Sequence, residues 1–396
     1  MLMLLAGCGA LVARQISRSH GGRPTVASGT VRELLYDHYA ITKCVIKELP
    51  SYDDLNFHII LPSGQQYVLK FNLSDVQGQD LELENAAMNH LATDRNDPSL
   101  AKCIPTVVLT AGLVKMFTYQ SSSRIYFVRM LTFMQGSVLA RVPYEARTGE
   151  FLSSVGRLLG RCDCAFSQST FPTKFVQIAA TRNHFWDLRN ALRLQKWTSD
   201  VRDDGNRALL KRAFALFNSK AGYMLHDGSS LRSQVTHNDG NDHNVIVSEH
   251  CPTTAAGESS TWSVVGLIDF GDIVHTNLIC NLAVSLAYYC CNPSLGTDQD
   301  RDALNEYARN TAVSVVRGYH DQMPLESLEI DVLWWCMIGR ICHSLASSAH
   351  RQQMEPENKY LVVSEAPFWQ LLRALSYPSF DINYQNARKE FQDILK

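Results

Sequence analysis

The sequence predicts an α+β fold of two lobes, a small β-rich N-terminal lobe followed by a larger helical C-terminal lobe. Short runs of β-branched and aromatic residues occur in the first third of the chain, whereas long helical segments begin at Gly149. The pattern changes near Gly136. We therefore divide the chain into a tail at 1–28, an N-terminal lobe at 29–135 and a C-terminal lobe at 136–396.

The N-terminal lobe is predicted to contain a hairpin, a helix and further antiparallel strands. A Pro-Ser-Gly turn at 62–64 separates two strand-like runs, which is typical of a hairpin. In the helix that follows, Glu84, Met88 and Leu91 are spaced to share one face. The predicted elements are, in chain order, a helix at 30–39, strands at 56–61 and 66–71, a helix at 80–91, and strands at 106–113 and 125–133.

The C-terminal lobe is predicted to be mainly helical, with two short strands near its middle. These strands lie at 245–247 and 264–268, and the Thr- and Ser-rich segment 251–261 between them is predicted to be a loop. The predicted helices lie at 151–166, at 206–217 and from Leu278 to the end of the chain.

The composition is that of a globular protein and excludes several classes. Hydrophobic residues make up 45% of the 396 residues and charged residues 19%, far from the balance of a disordered chain. The net charge of −2 and the lack of a basic cluster argue against a nucleic-acid-binding protein. The 11 cysteines contain no Cys-x-x-Cys pair, which favours reduced thiols in an intracellular compartment. No apolar run reaches the ~20 residues of a membrane span, so we expect a soluble protein.

The first residues leave two locations open. Residues 1–12 are apolar or small, and arginines and serines follow before the first acidic residue, Glu33. A secretory signal would place positive charge before its apolar run, and none precedes this one. We expect a disordered tail on a cytoplasmic protein. An acid-poor start with arginine and serine is also typical of a mitochondrial presequence, so the mitochondrial matrix is the alternative location.

Two motifs in the C-terminal lobe indicate phosphoryl transfer. His237-Asn-Asp-Gly-Asn-Asp-His-Asn244 runs directly into one predicted strand, and Asp269-Phe-Gly follows the next. The reaction needs a base that orients the attacking hydroxyl and ligands for the metal that neutralises the phosphates. Asp239 supplies the base, while Asn244 and Asp269 supply the oxygen ligands that Mg²⁺ prefers. His237 is expected to support the loop. Each motif alone is a weak signal, but their joint occurrence predicts a kinase.

These motifs resemble the catalytic loop of the aminoglycoside phosphotransferase and choline kinase superfamily, whose members carry His-Gly-Asp-x-x-x-x-Asn and Ile-Asp-Phe-Gly. The resemblance implies a bilobal protein-kinase-like fold, with a nucleotide-binding N-terminal lobe and a catalytic and substrate-binding C-terminal lobe. Within that superfamily the chain is similar to hydroxylysine kinases in five colinear stretches, at 49–58, 126–133, 241–244, 266–272 and 356–360. That similarity implies Mg²⁺-dependent phosphorylation of the hydroxyl of 5-hydroxy-L-lysine, a reaction of lysine degradation, with GTP as donor. ATP stays open, because no residue decides the donor.

The catalytic loop matches the family in its reacting residues and departs from it beside them. Asp239 takes the family's proton-acceptor position, and Asn244 and Asp269 take its metal positions. Asn238 stands where the superfamily has Gly, and Asn tolerates positive φ better than most residues. Asn281 stands where related sequences carry an acid that is expected to brace the loop. An amide in that place still forms hydrogen bonds but brings no charge.

In the N-terminal lobe, the resemblance implies a phosphate site. Lys70 takes the place of the strand lysine that binds the nucleotide phosphates, although a lysine at a strand end is otherwise often solvated. Its acidic partner is expected in the following helix, at Glu84 or at the equally well aligned Glu82. Ser51 and Asn56 lie in a glycine-free loop at the position of the phosphate-covering loop, and they are expected to donate hydrogen bonds to phosphate.

The substrate pocket is less clearly marked. A substrate with two ammonium groups and a carboxylate requires acidic residues and an arginine. Trp186, Asp187 and Arg340 lie in segments that resemble the family's, and Asp242 lies in the catalytic loop itself. Each has a plain alternative, in the core, on a helix surface, in a structural ion pair or in solvent. Asp272 is expected to cap the next helix rather than to bind a second metal.

Two other functions stay open from the sequence. The same chemistry serves other hydroxylated amines, namely choline, ethanolamine, homoserine and aminoglycosides. A pseudokinase that only binds ligands is the alternative from another class, and Asn281 is the residue that favours it. The partners expected in any case are a nucleotide and a small-molecule amine or amino acid.

Overall fold

The computed structural model describes residues 26–49, 51, 54–73, 78–121, 124–168, 170–250, 261–354 and 365–396. The chain divides into two compact units, Met1–Gln135 and Gly136–Lys396. The first contains an antiparallel sheet and the second is mainly helical, which confirms the predicted α+β fold class. Most of the tail, nearly all of the loop at 251–261 and the similar stretch at 356–360 lie outside the described residues.

The first unit is built around one antiparallel sheet whose strands follow the order β1-β2-β3-β6-β4, with β5 also paired to β6. Its elements are α1 (Ser28–Tyr39), β1 (Val45–Leu49), β2 (Leu55–Ile60), β3 (Gln66–Leu73), α2 (Gly78–Ala92), β4 (Val107–Val108), β5 (Phe117–Gln120) and β6 (Ile125–Thr132). The strand predicted at 106–113 is wrong beyond β4, because the chain turns there: the Thr110 N–H donates to the Val114 carbonyl and Leu113 has a φ of 60°.

The two faces of this sheet differ in polarity. Phe57, Leu69 and Val128 lie in the apolar core, which Val31 and Leu35 of α1 complete. The opposite face carries a polar row, because Asn56 pairs in register with Lys70, and Lys70 pairs in register with Arg129. Register partners point to the same side of a sheet. The N-terminal unit therefore presents a row of polar side chains on the face opposite α1.

The second unit consists of helices around three short strand pairings. Its elements are β7 (Ser137–Val138), α3 (Gly149–Phe166), α4 (Thr173–Thr181), α5 (Asp204–Lys220), β8 (Ser233–Thr236), β9 (Val245–His250), β10 (Thr261–Leu267), β11 (Val274–Asn277), α6 (Leu278–Tyr289), α7 (Arg301–His320), α8 (Ser327–Met354), α9 (Glu365–Leu375) and α10 (Phe380–Ile394). β9 lies between β10 and β7, and β8 pairs with β11. The β9–β10 and β8–β11 pairings position the loops that carry the predicted motifs.

Helices α3 and α7 approach each other backbone to backbone. A Cβ added at Gly318 would lie 1.8 Å from the Ser153 carbonyl oxygen, and one at Gly156 would lie 2.0 Å from the Val315 carbonyl oxygen. Neither distance leaves room for a methyl group, so glycine is required at both positions. The close approach also brings Tyr319 of α7 to Asp163 of α3.

Two further predictions concern the chain as a whole. The cysteines in the described part of the chain are all free, which agrees with the expected reduced thiols. Among the described residues, no helix combines the length and the hydropathy needed to cross a bilayer.

Candidate active site

The predicted catalytic loop and the Asp-Phe-Gly turn meet at the backbone of one residue, Ile268. The Ile268 N–H donates to the carbonyl of Asn244 at 2.9 Å. The Ile268 carbonyl lies 3.1 Å from Nε2 of His237, which is buried, and whose ring packs edge-on against Phe270. Burial lowers the pKa of His237 to about 4, so its neutral ring serves as a structural support, as predicted. Asp269 is thereby placed beside the loop that carries Asp239.

Asp239 is oriented by amides of its own loop. Asn244 Nδ2 donates to Asp239 Oδ2 at 2.7 Å and to the Asp239 carbonyl at 2.9 Å. Asn241 Nδ2 donates to Asp239 Oδ1 at 2.9 Å. The Asp239 side chain keeps 20% of its surface exposed, so a substrate hydroxyl can reach it. Because the Asn244 amide nitrogen donates to Asp239, the amide oxygen is the atom of this side chain that could bind a metal.

Asp269 has a strained backbone at the end of β10. Its φ of 63° and ψ of 77° are left-handed, a conformation that a non-glycine residue holds only when its surroundings enforce it. Arg182 supplies part of that enforcement, because its guanidinium donates to the Gly271 carbonyl at 2.8 Å and to the Ile273 carbonyl at 2.7 Å. The Asp269 side chain is exposed. The turn therefore holds a carboxylate outward at a fixed place.

Burial and neighbouring carboxylates raise the pKa values of Asp239 and Asp272. Burial raises the pKa of Asp239 to about 7, with a further rise from Asp269, against a lowering by Arg340. The pKa of Asp272 is well above its usual range, first through burial and then through Asp239. A divalent cation would relieve this repulsion. The donors present, an amide oxygen and carboxylates, are the hard oxygen ligands that suit Mg²⁺.

This donor set is small, as expected for a metal shared with phosphates. In the part of the chain that the structure describes, no group of three or more His, Cys, Asp or Glu side chains could hold a metal ion by itself. Mg²⁺ is usually bound by one or two carboxylates together with substrate phosphates and water. The residues therefore fit a metal that arrives with a nucleotide.

Asp272 does not cap the next helix. The chain forms β11 directly after the turn, and the residue before α6 is Asn277. Asp272 Oδ1 instead lies 3.4 Å from Nε2 of His184. The prediction of a cap is wrong because β11 separates the turn from the helix.

Arg340 of α8 is aimed at Asp239 from inside the protein. Its side chain is 2% exposed, and its Nη2 lies 3.9 Å from Asp239 Oδ1. The guanidinium lies over the Trp186 ring at 4.6 Å and donates to the Trp186 carbonyl at 3.2 Å and to the Tyr288 hydroxyl at 3.3 Å. Its Nε is buried and has no hydrogen-bond partner among the residues that the structure describes. The structure thus brings Arg340 to Asp239, and Trp186 to Arg340.

His343 extends this aromatic group by one helical turn. Its ring stacks on Trp186 at 5.1 Å. In the described part of the chain, neither buried ring nitrogen has a hydrogen-bond partner. Burial and then the charge of Arg340 hold the pKa of His343 well below its usual range, so the ring is neutral. A cation beside Arg340 would be repelled, and a neutral ring is not.

Two other predicted substrate residues lie elsewhere. Asp187 is buried, and its oxygens accept hydrogen bonds from Thr276 and from the side chain and backbone of Arg189. Protein donors occupy both oxygens of Asp187, so we assign this residue a structural role instead of a substrate contact. Burial raises the pKa of Asp242, and the charges of His243 and Arg147 act in the opposite direction. A substrate role for Asp242 stays a prediction.

In the N-terminal unit, the predicted phosphate residues lie on and beside the polar face of the sheet. Lys70 Nζ lies 3.4 Å from Asp54 Oδ2, and Glu84 forms a buried ion pair with Arg129. Glu84 therefore pairs with Arg129, the register partner of Lys70 on the neighbouring strand, and not with Lys70 as predicted. Glu82, the alternative acid, is exposed.

The two residues predicted to contact phosphate from the glycine-free loop have different surroundings. Ser51 Oγ donates to the Asp54 carbonyl. Asn56 begins the polar row, and its Oδ1 is buried without a hydrogen-bond partner. Both roles stay predictions.

A buried acid lies beneath the catalytic loop. Asp163 of α3 is fully buried, and its Oδ2 accepts from Asn281 Nδ2 at 2.8 Å and from the Tyr319 hydroxyl at 2.6 Å. The Oδ1 of Asn281 in turn accepts from the Asn238 N–H at 2.8 Å. Burial raises the pKa of Asp163 to about 7, against the lowering effect of these two donors. Asn281 was predicted to contact the loop, but Asp163, Arg182, Tyr288 and His343 were missed, and no local sequence pattern marks them.

The raised pKa of Asp163 predicts a pH dependence of stability. A carboxyl whose folded pKa lies at about 7 and whose ordinary value is 3.8 stabilises the fold below the lower value, and that contribution is lost as the pH rises to the upper one. We expect wild type to lose about 1.4 kcal/mol of unfolding free energy per pH unit in this window, relative to Asp163→Asn. Urea unfolding of both proteins at pH 5.5 and 8 tests this. Parallel pH profiles would contradict it.

Comparisons with known proteins show the family and the fold of this chain. The sequence profile of the phosphotransferase enzyme family matches residues 45–319. A hydroxylysine kinase of Danio rerio is 25% identical over 345 residues, which is 86% of this chain and 89% of that protein. A microcompartment-associated aminopropanol kinase superimposes with a TM-score of 0.64 at 18% identity, over 90% of this chain and 98% of that one. Amicoumacin kinase hAmiN, in complex with AMP-PNP, Ca²⁺ and Ami, superimposes with a TM-score of 0.61 at 12% identity, over 89% and 94%. The two solved structures confirm the bilobal kinase-like fold.

Proposed function

This chain belongs to the phosphotransferase enzyme family, whose reaction phosphorylates a hydroxyl-bearing small molecule, and we propose that its acceptor is 5-hydroxy-L-lysine. We propose Mg²⁺ as the metal and GTP as the donor, with ATP as the alternative donor. The observation that carries the choice of substrate is the buried guanidinium of Arg340 beside Asp239, because it suits an acceptor with a carboxylate. The free thiols of the described cysteines support a reducing compartment, which we propose to be the cytoplasm.

Asp239 acts as the general base of this reaction. Its carboxylate is fixed by Asn241 and Asn244 and accepts the proton of the acceptor hydroxyl. The hydroxyl oxygen forms a bond to the terminal phosphorus as the bond from that phosphorus to the nucleoside diphosphate breaks, and the diphosphate leaves. Asn244 and Asp269 would hold the metal, which when bound neutralises charge on the phosphates. Lys70 contacts the nucleotide phosphates, and Ser51 and Asn56 add hydrogen bonds to them. Glu84 acts indirectly by neutralising Arg129.

Arg340 binds the substrate carboxylate. No carboxylate lies within hydrogen-bond distance of its guanidinium among the described residues, since the nearest ion-pair oxygen, on Asp239, is 3.9 Å away. Burying a guanidinium without a hydrogen-bonded acid is costly unless a ligand supplies the acid. Trp186 and Tyr288 fix the orientation of the guanidinium through their rings and oxygens. The guanidinium beside Asp239 is therefore the group to which we assign the substrate carboxylate.

A panel of acceptors tests the proposed function. Purified protein with Mg²⁺ and either GTP or ATP is assayed with 5-hydroxy-L-lysine, choline, ethanolamine, homoserine and an aminoglycoside, with EDTA as the metal-free control. We expect the highest kcat/KM with 5-hydroxy-L-lysine and no turnover in EDTA. A clear preference for another amine would replace the substrate. Nucleotide binding without turnover on any acceptor would favour the pseudokinase.

Replacing Arg340 by Met tests the role of the carboxylate directly. Truncating one partner of a buried charge pair costs about 2–5 kcal/mol, so we expect KM for 5-hydroxy-L-lysine to rise by about 30-fold or more. The decarboxylated analogue 1,5-diaminopentan-2-ol provides the control, because it cannot form the ion pair. Steady-state kinetics with both acceptors give the ratio of the two kcat/KM values. An equal loss for both acceptors would mean that Arg340 acts on Asp239 or on phosphate instead.

A further inference from the structure

The acid beneath the catalytic loop is connected to the loop by a chain of hydrogen bonds in a single direction. The Asn238 N–H donates to Asn281 Oδ1, and Asn281 Nδ2 donates to Asp163 Oδ2, each at 2.8 Å. All three residues are buried. An amide at position 281 can face both neighbours only in this orientation, oxygen toward the N–H and nitrogen toward the carboxylate. Asp163 therefore fixes the orientation of Asn281.

The hydrogen bond between the Asn238 N–H and Asn281 holds a residue whose backbone is strained. Asn238 has a φ of 63°, which costs a non-glycine residue about 1 kcal/mol or more unless the surroundings enforce it. Its own side-chain amide is buried and has no hydrogen-bond partner within the described ranges, so that amide does not hold the strained backbone in place. The hydrogen bond from the Asn238 N–H to Asn281 Oδ1 is the contact that holds this backbone in place. Asn238 directly precedes Asp239 in the loop after β8, so its dihedral angles set the direction of the backbone at Asp239.

Helix α3 contacts the strand that leads into this loop as well. Gln234 Nε2 of β8 donates to the Asp163 carbonyl at 2.7 Å. The second donor to the carboxylate, the Tyr319 hydroxyl, comes from α7, whose distance from α3 is fixed by the glycine contacts described above. Asp163 thus joins α3, α6, α7 and β8 at one point below the loop.

We propose that Asp163 is a positioning residue for the catalytic base: through Asn281 it holds the Asn238 N–H and so sets the backbone from which Asp239 presents its carboxylate. The role of Asp239 as base rests on the proposed function, whereas the brace itself does not. Asp163 does not touch substrate. Its effect is on the geometry of the loop alone.

Transposing the acid and the amide tests this brace. Asn281→Asp alone places two carboxyl groups face to face, and their repulsion should turn the side chain at 281 away from the Asn238 N–H, so we expect kcat to fall by about tenfold or more. Asp163→Ala leaves Asn281 without its acceptor, and we expect a similar loss. The double variant Asp163→Asn with Asn281→Asp restores one acid and one amide, with an acceptor still facing the Asn238 N–H. It should recover kcat to within about threefold of wild type, as expected for coupled neighbours.

Tyr319→Phe is the matched control. It removes the other hydrogen bond to the same carboxylate oxygen and leaves the chain from Asp163 through Asn281 to Asn238 in place. We expect it to lower stability without lowering kcat. A loss of kcat in Tyr319→Phe equal to that in Asp163→Ala would overturn the proposal, since any damage to the helix packing would then be sufficient.

Amide hydrogen exchange of the peptide that contains Asn238 provides a readout independent of turnover. We expect faster exchange of the Asn238 amide in Asn281→Asp and in Asp163→Ala, and wild-type protection in Tyr319→Phe and in the double variant. Unchanged exchange and kcat in both disruptive variants, or a double variant as impaired as Asn281→Asp, would refute the brace. If wild type phosphorylates no acceptor, the proposed function fails while the exchange experiment still decides the brace.

Discussion

Asp239→Asn is expected to lower kcat by about 10²–10⁴-fold, the usual contribution of a general base, while KM for the nucleotide stays unchanged. The amide retains the size of the carboxylate but cannot accept the proton of the acceptor hydroxyl. The phosphates should be unaffected, because the residues proposed to contact them are others. The ratio of the two effects therefore separates a role in proton transfer from one in nucleotide binding.

Steady-state kinetics with both substrates varied measure this, and Asp204→Asn provides the control for the chemical change. Asp204 is an exposed acid in the first turn of α5 that pairs with Arg207, and its replacement should leave kcat unchanged. A wild-type kcat in Asp239→Asn would reject the assigned base. A rise in nucleotide KM with constant kcat would assign Asp239 to binding.

Gly318→Ala is expected to destabilise the protein by about 3 kcal/mol or more, at the upper end of overpacking effects. The new methyl group would lie 1.8 Å from the Ser153 carbonyl oxygen, and the nearest atoms are backbone rather than a flexible side chain. Helices α3 and α7 would have to separate along much of their contact. That separation would also draw Tyr319 away from Asp163.

Urea unfolding measures the loss, and Gly149→Ala is a control on the same pair of helices. A Cβ at Gly149 would lie 3.2 Å from Ser314 Oγ, a side-chain hydroxyl that can rotate away. We expect a change within about 0.5 kcal/mol, as for surface substitutions. Equal losses in the two variants would mean that the backbone contact between the helices is not what Gly318 protects.

The reacting residues could be predicted because their signal is local. Asp239 and Asn244 lie on one loop, and the turn containing Asp269 follows the next strand, so short motifs identify all three. The buried face of α2 was also predictable, since Glu84, Met88 and Leu91 are spaced by helical turns and all three are buried. Local periodicity and motif spacing were sufficient at these places.

The missed elements have weak local signals. β1 is an edge strand in which Val45 is 53% exposed and Lys47 and Glu48 interrupt any alternation. β8 and β11 have four residues each and are defined by pairing with one another across the catalytic loop. Strand pairings of this kind depend on the tertiary fold. Neither composition nor period marks them in advance.

The ion pairs could not be predicted for a different reason. Lys70 and Arg129 are register partners, so two cations lie side by side and the choice of partner for Glu84 depends on the geometry of the sheet. Likewise, Asp163 and Asn281 lie on different helices and meet only in the folded chain. Sequence can name the charged residues, but only packing decides which of them meet.

The contact between α3 and α7 has a consequence for how this protein tolerates change. Most helix pairs are separated by side chains, so substitutions in the core gradually alter their spacing. Gly156 and Gly318 have no side chain that a mutation could make smaller. The space at both positions also excludes any residue larger than glycine. Substitutions elsewhere in the core should therefore change the distance between Tyr319 and Asp163 little. We expect Gly156 and Gly318 to tolerate substitution least among the residues of this helix contact.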